Sequence, residues 1–119
     1  MKKIIVVDDE PDVIYSIKEG LGNDFEIIEA NSGKQLFKKL ESKIPDLILL
    51  DIMMPEMNGW QVLKKLKENE SLKNIPVIII SARKDKTAKN AGCFYAEEYI
   101  EKPFSINDIK ESIIKILEN

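Results

Sequence analysis

The chain has no histidine and only one cysteine among its 119 residues. The first absence removes the commonest general base and any phosphohistidine relay within the chain. Acid–base or nucleophilic chemistry in this chain would therefore fall to carboxylates, hydroxyls or lysines. The second excludes an internal disulfide and a thiolate-rich metal site, in keeping with a reducing compartment, and Cys93 reads as a small, partly buried thiol. Long apolar runs are also missing. The longest stretches are too short to cross a bilayer, and Met1-Lys2-Lys3 is followed by only four apolar residues, without the longer core and cleavage site of a secretory signal. A cytoplasmic location is expected. Nor is there an excess of positive charge: 18 basic residues face 21 acidic ones, for a net charge of −3. The basic side chains are scattered along helix faces rather than gathered into a stripe, so direct nucleic-acid binding and membrane insertion are not expected. No linker or low-complexity stretch marks an interior boundary, and the length fits one domain, 1–119, with no output domain.

What the chain does have is a set of short apolar runs, each ending on a charged or hydroxyl side chain. Ile4-Ile5-Val6-Val7 ends on Asp8-Asp9, Leu47-Ile48-Leu49-Leu50 on Asp51, and Val77-Ile78-Ile79-Ile80 on Ser81, while Tyr99-Ile100-Glu101 leads into Lys102-Pro103. Continuous aliphatic runs of this length read as strands buried on both faces of a parallel sheet. They alternate with amphipathic stretches, the pattern of repeated βα units. Five units are predicted. A first helix begins near Pro11, carries Ile14, Ile17 and Leu21 inward and ends in the Gly20 to Gly22 region; Phe25 to Glu29 is the second strand. Ser32 caps a second helix with a stripe of Leu36, Phe37 and Leu40, and Asp46 to Leu50 is the third strand. After the loop Ile52 to Asn58, Gly59 opens a third helix burying Val62, Leu63 and Leu66. A last helix starts at Ser105, with Asp108 three residues on and a stripe of Ile106, Ile109, Ile113, Ile116 and Leu117. The fourth helix is weak, because hardly an apolar side chain lies between Arg83 and Asn90.

In a doubly wound sheet of order 2-1-3-4-5, the first and third strands are neighbours, and ligands bind in the crevice beyond their carboxyl ends. Asp8, Asp9 and Asp51 then converge. Carboxylates about 4 Å apart repel by roughly 4 kcal/mol per pair at an effective dielectric near 20, so the group calls for a cation. Hard oxygen ligands with room for water favour Mg²⁺. Asp51, held by a buried strand below and followed by an irregular loop, is the best nucleophile, able to form an acyl phosphate. Lys102 supplies an ammonium aimed by the backbone, and Ser81 a hydroxyl donor. The side chains of Trp60, Met53, Met54 and Met57 read as packing or loop contacts.

Asp8-Asp9, the stretch from Asp51 through Met54-Pro55 to Asn58-Gly59, Ser81-Ala82, and Tyr99 followed by Lys102-Pro103-Phe104 together resemble the receiver domain of two-component response regulators. The resemblance runs from Lys3 to about Glu118. It implies a flavodoxin-like α/β fold with five parallel strands and five helices, and a stand-alone, chemotaxis-regulator-like module within a phosphorelay. By the same resemblance, Asp51 accepts phosphate from a sensor histidine kinase or phosphotransfer protein. Asp9, Asp51 and the Met53 carbonyl bind Mg²⁺, with Asp8 acting mainly through coordinated water. Lys102 contacts the phosphoryl group, Ser81 and Tyr99 form a switch pair, and the Lys102-Pro103 peptide is similar to one that is usually cis. The protein would be no enzyme in the ordinary sense. It would catalyse its own aspartyl phosphorylation and autodephosphorylation and alter its affinity for a downstream target through roughly Lys84 to Asn119. Three positions depart from or vary within the pattern: Tyr95 stands where many relatives have glycine, and Met53 and Arg83 occupy places that influence phosphoryl lifetime.

Three other classes share parts of this pattern. A flavodoxin-like electron carrier would need a hydroxyl- and glycine-rich phosphate cradle where this chain has Asp8-Asp9-Glu10-Pro11-Asp12. A phosphohydrolase of the haloacid dehalogenase type resembles a pattern with a second aspartate where Met53 stands. A phosphorylation-independent interaction module would be marked by a missing site residue, and none is missing.

Overall fold

A computed structural model describes residues 1–54, 58–82 and 96–118. β1 (Lys3–Val7), β2 (Glu26–Ala30), β3 (Leu47–Asp51), β4 (Val77–Ala82) and β5 (Glu98–Lys102) form one parallel sheet in the order β2-β1-β3-β4-β5. The doubly wound arrangement is the one expected. Successive side chains of a strand point to opposite faces, so an unbroken aliphatic run is stable only where both faces are covered. Ile5, Val7, Ile48, Leu50, Val77 and Ile79 enter one core, against Leu36 and Leu40 of α2 (Gly33–Leu40) and Val62, Leu63 and Leu66 of α3 (Gly59–Glu68). Ile4, Val6, Leu47, Leu49, Ile78 and Ile80 enter the other, against Ile14, Ile17 and Leu21 of α1 (Pro11–Leu21) and Ile109 and Ile113 of α4 (Ile106–Leu117). The weak helix expected over Arg83 to Asn90 lies outside the described residues, as do Met57, Cys93 and Tyr95. Among the described residues no helix is long and apolar enough to cross a membrane.

Strand ends differ from expectation by one or two residues, and β4 runs on through Ser81 to Ala82. Phe25 is apolar like a strand residue, but its N–H donates to Leu21 O at 3.0 Å, which makes it part of the turn after α1. β2 therefore starts at Glu26. Asp46 is engaged before β3 begins: its Oδ2 accepts from the Lys3 N–H at 2.7 Å and its own N–H donates to Lys3 O at 2.7 Å. Asp51 is the last residue of β3 rather than the first beyond it. Gly20 lies inside α1, where a Cβ would come within 2.5 Å of Ile106 Cγ2, so its missing side chain lets α1 and α4 approach.

The loop after β3 is anchored at its far end by a capping box. Asn58 Oδ1 accepts from the Gln61 N–H at 3.1 Å, and Gln61 Oε1 accepts from the Asn58 N–H at 3.0 Å. The Gly59 N–H donates to Ile52 O at 2.9 Å, and a Cβ on Gly59 would stand 2.5 Å from Ile52 Cα and 2.7 Å from Asp51 O. Backbone cannot swing aside as a side chain can. Gly59→Ala is therefore expected to lower unfolding stability by about 1–3 kcal/mol, read from urea denaturation; an unchanged midpoint would show that this close approach carries no constraint.

Candidate functional site

Sheet register brings the first two site residues together. Val7 is paired with Leu50, so the next step along both strands sets Asp8 beside Asp51. Asp8 is held by its N–H, which donates to Ala30 O of β2 at 3.1 Å. Asp51 is followed by Ile52, whose N–H donates to Ile80 O at 3.1 Å, while the Met53 N–H turns back to Asp51 Oδ1 at 3.2 Å. On the other side of β4, Ala82 is paired with Lys102 at the end of β5. Lys102 Nζ lies 3.5 Å from Asp8 Oδ2 and 3.7 Å from Asp51 Oδ1. Both carboxylates are 2% exposed and the lysine side chain 24%. The Lys102-Pro103 peptide is cis, as the resemblance implies.

Ser81, one residue past the Ile80 that pairs with Asp51, lies near the carboxyl end of β4 and is fully buried. Its Oγ, Asp8 Oδ2 and Asp51 Oδ2 make no hydrogen bond among the described residues. Three buried oxygens in that condition at one strand-end crevice are costly unless something else engages them. Carboxylate oxygens of Asp8, Asp9 and Glu10 lie within 4.8 Å of one another, and Asp8 and Asp9 also line a hollow of about 320 Å³ running between α1 and α2. Met53 is exposed, Met54 is buried, and Trp60 and Tyr99 are partly buried against the α2–α3 core.

Electrostatics reflect this crowding. Burial, with the Asp8 charge next and Asp9 adding to it, pushes the Asp51 carboxyl up to about 7, although Lys102 and the Met53 N–H pull the other way. Burial also raises Asp8, against the opposing pull of the Glu10 N–H and Lys102. Burial alone would lower Lys102, but the combined attraction of Asp51, Asp8 and Glu10 outweighs it and leaves the ammonium held above its usual value. The lysine is therefore a cation at neutral pH.

One participant is not predicted from the sequence. Glu10 Oε1 lies 3.6 Å from Lys102 Nζ, giving the lysine a third carboxylate. Its signal is the run of three consecutive acids after β1, which by itself marks only an acidic loop.

Site geometry and fold together define a class. The model of the response regulator receiver domain matches residues 4–114, and the chain belongs to that family. It is 33% identical over 118 residues to the alkaline phosphatase synthesis transcriptional regulatory protein PhoP of Bacillus subtilis, covering 98% of this chain and 48% of that one. It is 37% identical over 117 residues to Histidine kinase P4 of Formosa agariphila, covering 98% of this chain and 8% of that protein. The chain thus spans about half the length of one of these curated relatives and far less of the other. A CheY-like receiver domain protein from Methanospirillum hungatei superposes with a TM-score of 0.83 at 32% identity, over 98% of this chain and 97% of that one.

Proposed function

We propose that the chain is a phosphoryl-accepting receiver: a histidine kinase or phosphotransfer protein delivers a phosphoryl group to Asp51, and the modified protein changes its affinity for a downstream protein. The observation that carries this reading is the convergence of Asp51 at the end of β3 with buried Asp8 and with Lys102, whose Nζ lies within 3.7 Å of both. An ionised Asp51 oxygen attacks phosphorus in line, the P–N bond of the donor phosphohistidine breaks, and an acyl phosphate forms. Lys102, cationic at neutral pH, balances charge gathering on the phosphoryl oxygens, and the Ser81 hydroxyl donates to one of them. The same groups favour attack by water later, so the modification is transient.

The donor set fits Mg²⁺. It is all hard oxygen, with two buried carboxylate oxygens that make no hydrogen bond among the described residues and a three-carboxylate group beside them. Asp9, Asp51 and the Met53 carbonyl would hold the ion, with Asp8 acting through water. Bound there, it supplies positive charge that favours the ionised form of Asp51 and neutralises phosphoryl oxygens. Calorimetry should find Mg²⁺ binding weakened more than about tenfold by Asp9→Ala; equal affinity would move the metal site elsewhere.

The readout runs through Ser81 and Tyr99. A serine hydroxyl drawn to the phosphoryl group shifts the balance between two arrangements of the neighbouring β5 side chain. The responding surface is then β5, α4 and the segment before them, roughly 84–119, of which 96–118 are described. We take residues 1–119 to act as one receiver unit working in the cytoplasm, without direct nucleic-acid contact. Incubation with Mg²⁺ and a small acyl phosphate or phosphoramidate tests the central step by intact-protein mass. A protein that takes no phosphoryl group from any of several donors would instead be a phosphorylation-independent interaction module.

A further inference from the structure

We propose that Glu10 selects among phosphoryl donors by their charge, an inference that rests on Asp51 being the acceptor. Lys102 Nζ is shared by three carboxylates at nearly equal distance: Asp8 at 3.5 Å, Glu10 at 3.6 Å and Asp51 at 3.7 Å. They differ in their access to water. Asp8 and Asp51 are 2% exposed, whereas Glu10 is 61% exposed. Glu10 is therefore the outermost charge of the group, on the side from which a donor reaches Lys102.

Its backbone is pinned. The Glu10 N–H donates to Asp8 Oδ1 at 2.9 Å, and the Glu10 carbonyl accepts from Val13 and Ile14 at 3.1 and 3.3 Å at the start of α1. Only the side chain can move, and its charge stays at the mouth. An approaching phosphoryl donor meets this charge twice: it is repelled directly, and it must take Lys102 away from Glu10 before the ammonium can serve the phosphoryl oxygens. The direct repulsion grows with the donor's own negative charge, whereas freeing Lys102 costs the same for every donor. At several ångströms in a water-rich mouth, one unit charge acting on another changes an association constant about threefold. A free dianionic donor is penalised most. A protein donor that sets a basic side chain opposite Glu10 converts the same charge into attraction, so Glu10 favours a kinase over small acyl phosphates.

The test compares acetyl phosphate, a dianion, with phosphoramidate, a monoanion, at low ionic strength and with Mg²⁺ saturating for each variant. Glu10→Gln should raise kcat/KM for acetyl phosphate about tenfold and for phosphoramidate about threefold, a shift in donor ratio of about threefold. Glu10→Asp, which keeps the charge, should keep the wild-type ratio. In roughly 1 M salt, where the screening length falls to about 3 Å, the advantage of Glu10→Gln should vanish. Equal changes for both donors, or a shift that survives high salt, would overturn the proposal, since a loosened α1 start or a disturbed metal site acts on both donors alike. A wild type phosphorylated on Asp51 with the donor ratio untouched in Glu10→Gln would overturn this inference alone. A wild type that accepts from neither donor would overturn the acceptor reading and this one together.

Discussion

Asp51→Asn should take phosphoryl incorporation from a single group per chain to none. The substitution keeps the size and planarity of the side chain but replaces a carboxylate oxygen by an amide nitrogen with no available lone pair, and an amide oxygen is too weak a nucleophile to displace a phosphoryl leaving group. Nothing nearby substitutes readily. Asp8 is as buried as Asp51, but its Oδ1 is occupied by the Glu10 N–H and its Oδ2 faces Lys102. Asp9 and Glu10 are exposed, so they lack the surroundings that fix Asp51 at one orientation. The introduced amide oxygen can still accept the Met53 N–H that Asp51 Oδ1 accepts at 3.2 Å. The loop geometry should therefore persist, and loss of incorporation will report chemistry rather than unfolding. Intact-protein mass spectrometry after treatment with an acyl phosphate and Mg²⁺ gives the answer directly. An adduct that persists in Asp51→Asn would place the acceptor on another residue.

Much of this site is legible in the sequence because its parts end strands. In a parallel sheet, the aliphatic runs at 4–7 and 47–50 can only be strands covered on both sides, and the residue after each run lands at the same edge of the sheet. Asp8, Asp51, Ser81 and Lys102 are all identified by that logic. Their distances from one another depend on strand order, which alternation with helices constrains strongly. Glu10 is harder to see. Its meeting with Lys102 needs a lysine from the edge strand β5 to reach across the ends of β4 and β3 to the loop after β1, and side-chain reach is not written in periodicity. The Asn58–Gln61 capping box is hidden for a different reason. Gly59 draws attention as the helix start, although an Asn followed three residues later by Gln carries the same signature as the Ser32 cap, whose Oγ accepts from the Gln35 N–H at 3.1 Å. The one-residue offset of β2 arises because Phe25 is apolar on either account, and only its hydrogen bond to Leu21 O separates turn from strand. Over residues 83–90, neither periodicity nor apolar content favours a helix strongly.

The crowding of carboxylates around Asp51 should make the metal-free protein less stable as pH rises. The Asp51 carboxyl is raised from an ordinary 3.8 to about 7, by burial first and by Asp8 second. A group that holds its proton more tightly when folded contributes stability that is full below its unfolded pKa and is lost as pH climbs through its folded pKa. The loss attributable to Asp51 therefore runs from about pH 4 to about pH 7, and Asp8, also raised, acts in the same direction. Lys102, held above its ordinary 10.5, stays charged throughout this window and adds no slope. That rise corresponds to at most roughly 4 kcal/mol, and relaxation around the charge reduces it, so about 2 kcal/mol is expected. In chelator, Asp51→Asn should be more stable than the wild type by about that amount near pH 8, with the difference shrinking toward pH 4. Mg²⁺ should then stabilise the wild type more than the variant, because binding to the folded state alone adds stability by mass action and the variant has lost a charged ligand. Urea denaturation of both proteins across this range, with and without Mg²⁺, reads the whole prediction. If Asp51→Asn were the less stable protein at pH 8 in chelator, the negative charge at Asp51 would be stabilised by its surroundings, and the picture of a crowded, cation-seeking site would have to be abandoned.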